Sequence, residues 1–173
     1  MKIAITGKMC SGKSSIANLL VEGENRFKIY SFGQKVKDVA KDLFDMKEKD
    51  RTLLTSIGTK MRDINPDVWV NYVIKQTEGQ THCIVDDLRY QNEYEALSNA
   101  GFKIIQLTLD PKIQGERIKK VYPNNYQDHF NNRNHISERN EFQWLKSDNP
   151  LIIDSGKDNI VEIMEKIHEY LRL

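Results

Sequence analysis

Apolar residues gather in five short runs: Lys2–Thr6, Phe27–Ser31, His82–Asp86, Lys103–Leu109 and Leu151–Asp154. Runs this brief, with little polar alternation, suit strands buried on both faces of a parallel sheet. Between them the spacing turns helical. Val36, Val39, Ala40, Leu43 and Phe44 share one helix face, as do Ile160, Ile163, Met164, Ile167 and Leu171. Asp158 or Ser155 is placed to open that last helix. Strands alternating with helices predict an α/β fold: a five-stranded, mainly parallel sheet in a three-layer sandwich, joined by right-handed crossovers. No repeat, low-complexity tract or linker interrupts the pattern, and 173 residues suit one domain spanning 1–173.

Two stretches break the alternation. Val36 to Thr77 is a long, mostly helical excursion between the second and third strands. Tyr122 to Arg139 is polar, rich in asparagine and poor in aliphatic residues, as expected of a surface loop that moves.

Chemistry enters directly after the first strand. Gly7, Lys8, Met9, Cys10, Ser11, Gly12, Lys13 and Ser14 fit G-x-x-x-x-G-K-S/T, the phosphate-binding loop, and Ser15 extends the segment. Glycines at both ends let the backbone curl so that successive N–H groups converge on one point. A phosphate there also meets the positive end of the following helix. Lys13 supplies a mobile charge for β- and γ-phosphates, and the Ser14 hydroxyl is a hard oxygen suited to Mg²⁺. Strand, loop and helix stand in the required order, which predicts nucleoside triphosphate binding.

Asp86 and Asp87 lie at the carboxyl end of the third apolar run, the edge where ligands gather in an open parallel sheet. An extended backbone sends them opposite ways, so Asp86 is assigned to the metal side and Asp87 to the phosphate acceptor. Helix capping is the structural alternative for either one. Arg89 follows, a planar fork for phosphate oxygens. Arg62 falls in the first irregular stretch, Arg133 and Arg139 in the second, and Arg117 at its approach. The asparagine-rich stretch is the candidate lid, closing over the phosphates and bringing charge with it. The first excursion is the candidate acceptor pocket, with Lys37 and Arg62 for a phosphate and Trp69 or Tyr72 for a flat base. Trp69 has a competing reading as a core side chain within Val68-Trp-Val-Asn-Tyr-Val73.

Composition narrows the classes. Hydrophobic residues are 39%, charged residues 29% and the formal net charge is +1, a globular balance that argues against stable nucleic-acid binding. No apolar run reaches membrane-span length. The first strand begins at once, so a cytoplasmic protein is expected, in the host cytoplasm if the source is viral. Cys10 and Cys83 do not suggest a disulfide framework, and the four histidines lack zinc spacing.

Several further segments carry a family resemblance. These are Ser31-Phe-Gly-Gln-Lys-Val-Lys37, Ile57-Gly-Thr-Lys-Met-Arg-Asp-Ile-Asn-Pro-Asp-Val-Trp69, Asp87-Leu-Arg-Tyr-Gln-Asn-Glu93 and His135-Ile-Ser-Glu138. In that order they resemble the deoxynucleoside monophosphate kinases of bacteriophages and large viruses, within the P-loop nucleoside monophosphate kinases. The resemblance implies a P-loop kinase fold with an acceptor-binding region at about 32–77 and a lid at about 117–140. It implies transfer of the γ-phosphoryl group of ATP, with Mg²⁺, to a (deoxy)nucleoside 5′-monophosphate. Lys13, Arg89, Arg117 and Arg133 are then the candidate catalytic residues. Lys37, Arg62, Trp69, Asp87 and Arg89 would bind the acceptor, and Ser14 and Asp86 the metal. Met61 and Gln34 depart from the family pattern, which leaves base and sugar preference open; a homodimer is left open too. A kinase of another small metabolite, phosphomevalonate-like or dephospho-coenzyme A-like, is the alternative. A guanine-nucleotide switch would need an Asn/Thr-Lys-x-Asp segment. The chain has only Lys146-Ser-Asp148, preceded by Leu145.

Overall fold

The computed structural model describes residues 1–24, 26–131, 133, 138 and 141–172. Its strands are β1 (Lys2–Gly7), β2 (Lys28–Tyr30), β3 (Cys83–Leu88), β4 (Lys103–Thr108) and β5 (Leu151–Asp154). They form one sheet in the order β2-β3-β1-β4-β5, and every neighbouring pair is parallel. The expectation of a mainly parallel sheet thus becomes a wholly parallel one. The helices are α1 (Lys13–Gly23), α2 (Phe32–Phe44), α3 (Arg51–Ile64), α4 (Val68–Thr77), α5 (Gln91–Asn99), α6 (Pro111–Val121), α7 (Tyr126–Asn131) and α8 (Ile160–Leu171).

Side-chain alternation divides the core in two. Ile3, Ile5, Ile84, Ile105 and Leu107 face α1 and α8, meeting Ile16, Leu20, Ile163 and Ile167. Ala4, Val85 and Ile104 face the opposite layer, with Val36 and Ala40 of α2, Ile57 of α3, Val70 and Val73 of α4, and Tyr94 and Leu97 of α5. Helices therefore cover both faces of the central strands β1, β3 and β4, which carry apolar residues on both sides for that reason, while Ile152 of the edge strand β5 stays 55% exposed.

The topology puts the phosphate loop where the connections diverge. β1 is central; the chain builds β2 and β3 to one side of it, then β4 and β5 to the other. The carboxyl end of β1 is the switch point, where an open parallel sheet offers a crevice.

Three local expectations are corrected. α2 starts at Phe32, its first amides held by the Asp87 carboxylate and not by the Ser31 side chain, and β2 is only Lys28–Tyr30. The last helix is capped by Asn159, not Asp158 or Ser155. The Asn159 side chain accepts from Val161 and Glu162 amides, and Glu162 accepts from the Asn159 amide in return. Asp158 instead pairs with Lys166 at 2.5 Å. Third, the β1–β3 register shifts: Ala4 faces Val85, but Thr6 faces Leu88. The extra residue on β3 breaks the alternation at the two carboxylates. Asp86 and Asp87 both line one cleft, and within it their carboxylates part, Asp86 toward Ser14 and Asp87 toward the start of α2.

Candidate active site

Gly7 to Ser14 curls from β1 into α1. Gly12 holds φ 96° as the residue before the helix, a conformation that favours glycine. Gly7 is constrained by contact as well. A Cβ there would lie 2.6 Å from Ser11 Oγ and 2.7 Å from the Leu107 carbonyl oxygen. The backbone oxygen has nowhere to go, so Gly7→Ala should lower stability by about 1–3 kcal/mol. An unchanged urea midpoint would show that the loop relaxes around the methyl group.

Lys13 is folded back on the loop, its Nζ donating to the Gly7 and Lys8 carbonyls at 2.7 and 2.8 Å. Burial, followed by repulsion from Arg89, lowers its pKa to about 8. Carboxylates of Glu138, Asp86 and Asp87 act in the other direction. The loop itself is braced from α6 and beyond. Gln114 Nε2 donates to the Met9 carbonyl at 3.1 Å, and the Met9 amide donates to Glu138 Oε2 at 2.6 Å. Arg117 donates to the Cys10 carbonyl at 3.3 Å and to the Ser155 carbonyl at 2.7 Å.

The two carboxylates of β3 have separate partners. Asp86 Oδ2 accepts from Ser14 Oγ at 2.9 Å, so two hard oxygens stand side by side at the loop. Burial and the neighbouring Asp87 raise the Asp86 pKa. Asp87 faces the start of α2 and accepts from Ser31 Oγ (2.6 Å), Phe32 N (2.9 Å) and Gly33 N (2.8 Å). It fastens the first helix of the excursion to the end of β3, neutralising that helix's positive end.

Beyond Asp87 lies a cleft of about 210 Å³ lined by Phe32, Lys37, Gly58, Arg62, Tyr90 and Glu93, among others. It shares Gly33, Lys37, Asp87 and Arg89 with a cleft of about 360 Å³ that also contains Lys13, Ser14 and Asp86. Arg62 stacks over the Tyr90 ring at 4.2 Å and reaches Glu93 Oε1 at 3.2 Å. Glu93 is almost fully buried, and its other oxygen accepts from the Arg89 and Tyr90 amides at 2.9 and 3.1 Å. Burial raises its pKa to about 7 against these hydrogen bonds. The Arg89 guanidinium donates through Nη1 to Glu138 Oε1.

Lys13, Ser14, Lys37, Arg62, Asp86, Asp87 and Arg89 thus meet around two joined clefts. Lys8, Met9, Cys10, Ser11 and Gly12 form the loop itself, and Ser15 lines a third cleft beside Arg117. Trp69 does not join them. It is 3% exposed in the core, its indole N–H donating to the Gly58 carbonyl at 3.2 Å. Tyr72 packs at the edge of that core, so the rings in the second cleft are Phe32 and Tyr90. Arg133 stacks at 3.8 Å on Phe130 and is absent from the lining of these clefts. His135, Ile136, Ser137 and Arg139 lie outside the described residues. Glu93, Gln114 and Glu138 carry structural tasks at the site that residue type alone does not announce. Glu93 and Glu138 at least sit inside segments that the sequence singles out.

No curated protein sequence matches the chain. Solved structures do. A candidate kinase from Chloroflexus aurantiacus is 18% identical, with a TM-score of 0.59 over 98% of this chain and 94% of that one. Shikimate kinase from Bacteroides thetaiotaomicron is 12% identical, with a TM-score of 0.57 over 100% and 99%. A gluconokinase from Sinorhizobium meliloti is 14% identical, with a TM-score of 0.54 over 99% and 91%. Identities this low speak for shared architecture: the fold is that of the P-loop kinases. A family model described as an AAA domain matches residues 3–141, from β1 through both clefts. On that match, the chain belongs to the AAA domain family.

Proposed function

We propose that the protein is a kinase that transfers the γ-phosphoryl group of ATP to a (deoxy)nucleoside 5′-monophosphate, yielding ADP and the diphosphate. One observation carries this reading: the phosphate-loop cleft and the Arg62 cleft are continuous through Lys37, Asp87 and Arg89. Donor and acceptor phosphates placed in them meet at a cationic seam. Mg²⁺ bound with ATP would supply neutralisation of the polyphosphate charge. Ser14 Oγ and Asp86 are fit to hold it, being two hard oxygens at the loop, and a phosphate-bound Mg²⁺ needs few protein ligands.

The chain's own residues do the positioning. Loop amides and the Lys13 ammonium grip the donor; Arg62 and Lys37 orient the acceptor phosphate. An acceptor phosphate oxygen attacks the γ-phosphorus as the bond to the ADP oxygen breaks, and Arg89 neutralises charge on the oxygens in flight. A hydroxyl acceptor would gain from a general base, but both carboxylates of the acceptor cleft, Asp87 and Glu93, are spent on backbone N–H groups. That favours an acceptor already anionic. A second reading, a kinase of another small phosphorylated or hydroxylated metabolite, draws support from Trp69 lying in the core, which removes one partner for a base. A coupled assay with ATP and each common ribo- and deoxyribonucleoside monophosphate, beside phosphomevalonate and dephospho-coenzyme A, separates the two. Turnover confined to the latter compounds would overturn the first reading.

The lowered Lys13 pKa gives a pH test. With a value of about 8, the free protein loses the ammonium proton as pH rises through that value. A bound polyphosphate favours the charged form, so binding should take up a proton at about pH 9. ATP affinity should therefore decline above about pH 8, with the uptake read by calorimetry in buffers of different ionisation heat. Constant affinity and no uptake would place Lys13 away from the phosphates.

A further inference from the structure

Five cationic side chains line the phosphate cleft, Lys13, Lys37, Lys49, Arg51 and Arg89, against three carboxylates, Asp86, Asp87 and Glu138. Two of these cations have no assigned task. Lys49 and Arg51 stand on either side of Asp50, the cap of α3, on the wall facing the phosphate loop. Asp50 Oδ1 accepts from the Leu53 amide at 2.9 Å, and the carboxylate forms no ion pair with either neighbour. Among the described residues neither Lys49 nor Arg51 forms an ion pair, and Arg51 Nε is buried without a hydrogen-bond partner. Desolvation, then repulsion from Arg51, Lys37 and Arg89, lowers the Lys49 pKa. Carboxylates of Asp50 and Asp128 share a neighbouring cleft with Lys49 and Arg51 but form no ion pair with either, and a buried guanidinium N–H without a partner is costly.

The arginines expected to supply lid charge are occupied elsewhere. Arg117 binds the Cys10 and Ser155 carbonyls, which makes it a brace of the loop, and Arg133 lies flat on Phe130. We propose that Lys49 and Arg51 form a second cationic jaw, opposite the phosphate loop, that grips the phosphate chain at the junction of donor and acceptor. The inference deepens the kinase reading and names the residues that take the charge-bearing role at the cleft's far wall. The ligand chemistry is a run of consecutive phosphates, longer than the loop alone can neutralise. Arg51, with its planar fork, meets the equatorial oxygens of the transferring group; Lys49 contributes a point charge at the cleft mouth.

The test uses the full chain and two readouts. Binding of inorganic tripolyphosphate, measured calorimetrically without any nucleoside, isolates the jaw from the question of acceptor. Arg51→Gln should weaken it about 10-fold, Arg51→Lys less, and Lys75→Gln on the exposed side of α4 should leave it unchanged. With ATP and an acceptor, R51Q should raise the ATP dissociation constant about as much as that of tripolyphosphate and lower kcat about 100-fold besides. R51K should recover part of that turnover, which a collapse of the fold would not allow. Tripolyphosphate binding equal in wild type and R51Q, or absent from wild type, overturns the jaw. Loss of tripolyphosphate binding in R51Q with no nucleoside monophosphate turned over by wild type upholds the jaw and overturns the nucleotide assignment.

Discussion

Lys13→Met should reduce phosphoryl transfer about 1,000-fold while the protein stays folded. The ammonium is the cation most deeply set in the loop, hydrogen-bonded to the Gly7 and Lys8 carbonyls and nearly buried. Those contacts show a side chain parked on its own loop. A polyphosphate offers the ammonium full negative charge in place of two carbonyl dipoles, so it should swing to the ligand. Methionine keeps the length and apolar bulk of the stem but supplies no charge. It also removes the cost of burying an ammonium, which offsets the two unpaired carbonyls, so the melting temperature should change little. Retention of turnover within about tenfold of wild type would remove Lys13 from the reaction.

Arg89→Ala should cost nearly as much but differently. Arg89 lines both clefts, at the seam where the two phosphates would meet. A charge used at the seam is felt most in the transition state, so kcat should fall about 1,000-fold while ATP binding changes less than about threefold. Steady-state kinetics beside ATP titration reads the split, and equal loss of both would put Arg89 outside the transition state. The variant also leaves the buried Glu138 carboxylate without its guanidinium partner, so some stability is lost. Arg89→Lys separates the effects. It restores a cation for Glu138 but not the planar fork, and should recover stability more than rate.

The sheet, the loop and the two helices were legible because each rests on local pattern: five apolar runs, two glycines with a lysine, and helical spacing from Val36 to Phe44 and from Ile160 to Leu171, although Leu43, Phe44 and Ile160 on the expected faces stay exposed. What escaped depends on residues far apart in sequence. The bulge that turns Asp86 and Asp87 into one cleft follows from how β3 registers against β1, and no single-strand pattern reports it. Asp87, assigned to the acceptor from sequence, lines the cleft that holds Arg62. Its hydrogen bonds go to the start of α2, more than fifty residues earlier, a partnership set by the placement of β2 beside β3. Trp69 shows the limit of reading residue type. An aromatic near a pocket and an aromatic under it look alike until α4 is packed. Lys49 and Arg51 sit in a charged stretch, Lys47 to Arg51, that reads as ordinary surface until the start of α3 is placed on the cleft it shares with the phosphate loop.

The outermost strands of the sheet are its shortest, three residues in β2 and four in β5. Each leaves only a stub of unpaired amides and carbonyls for a foreign chain to zip onto. Lateral growth into fibres is thereby discouraged, even though the interior strands are apolar enough to be hazardous if laid bare. Should two copies of this chain associate, a continuous sheet running through both is the arrangement these short edges least favour.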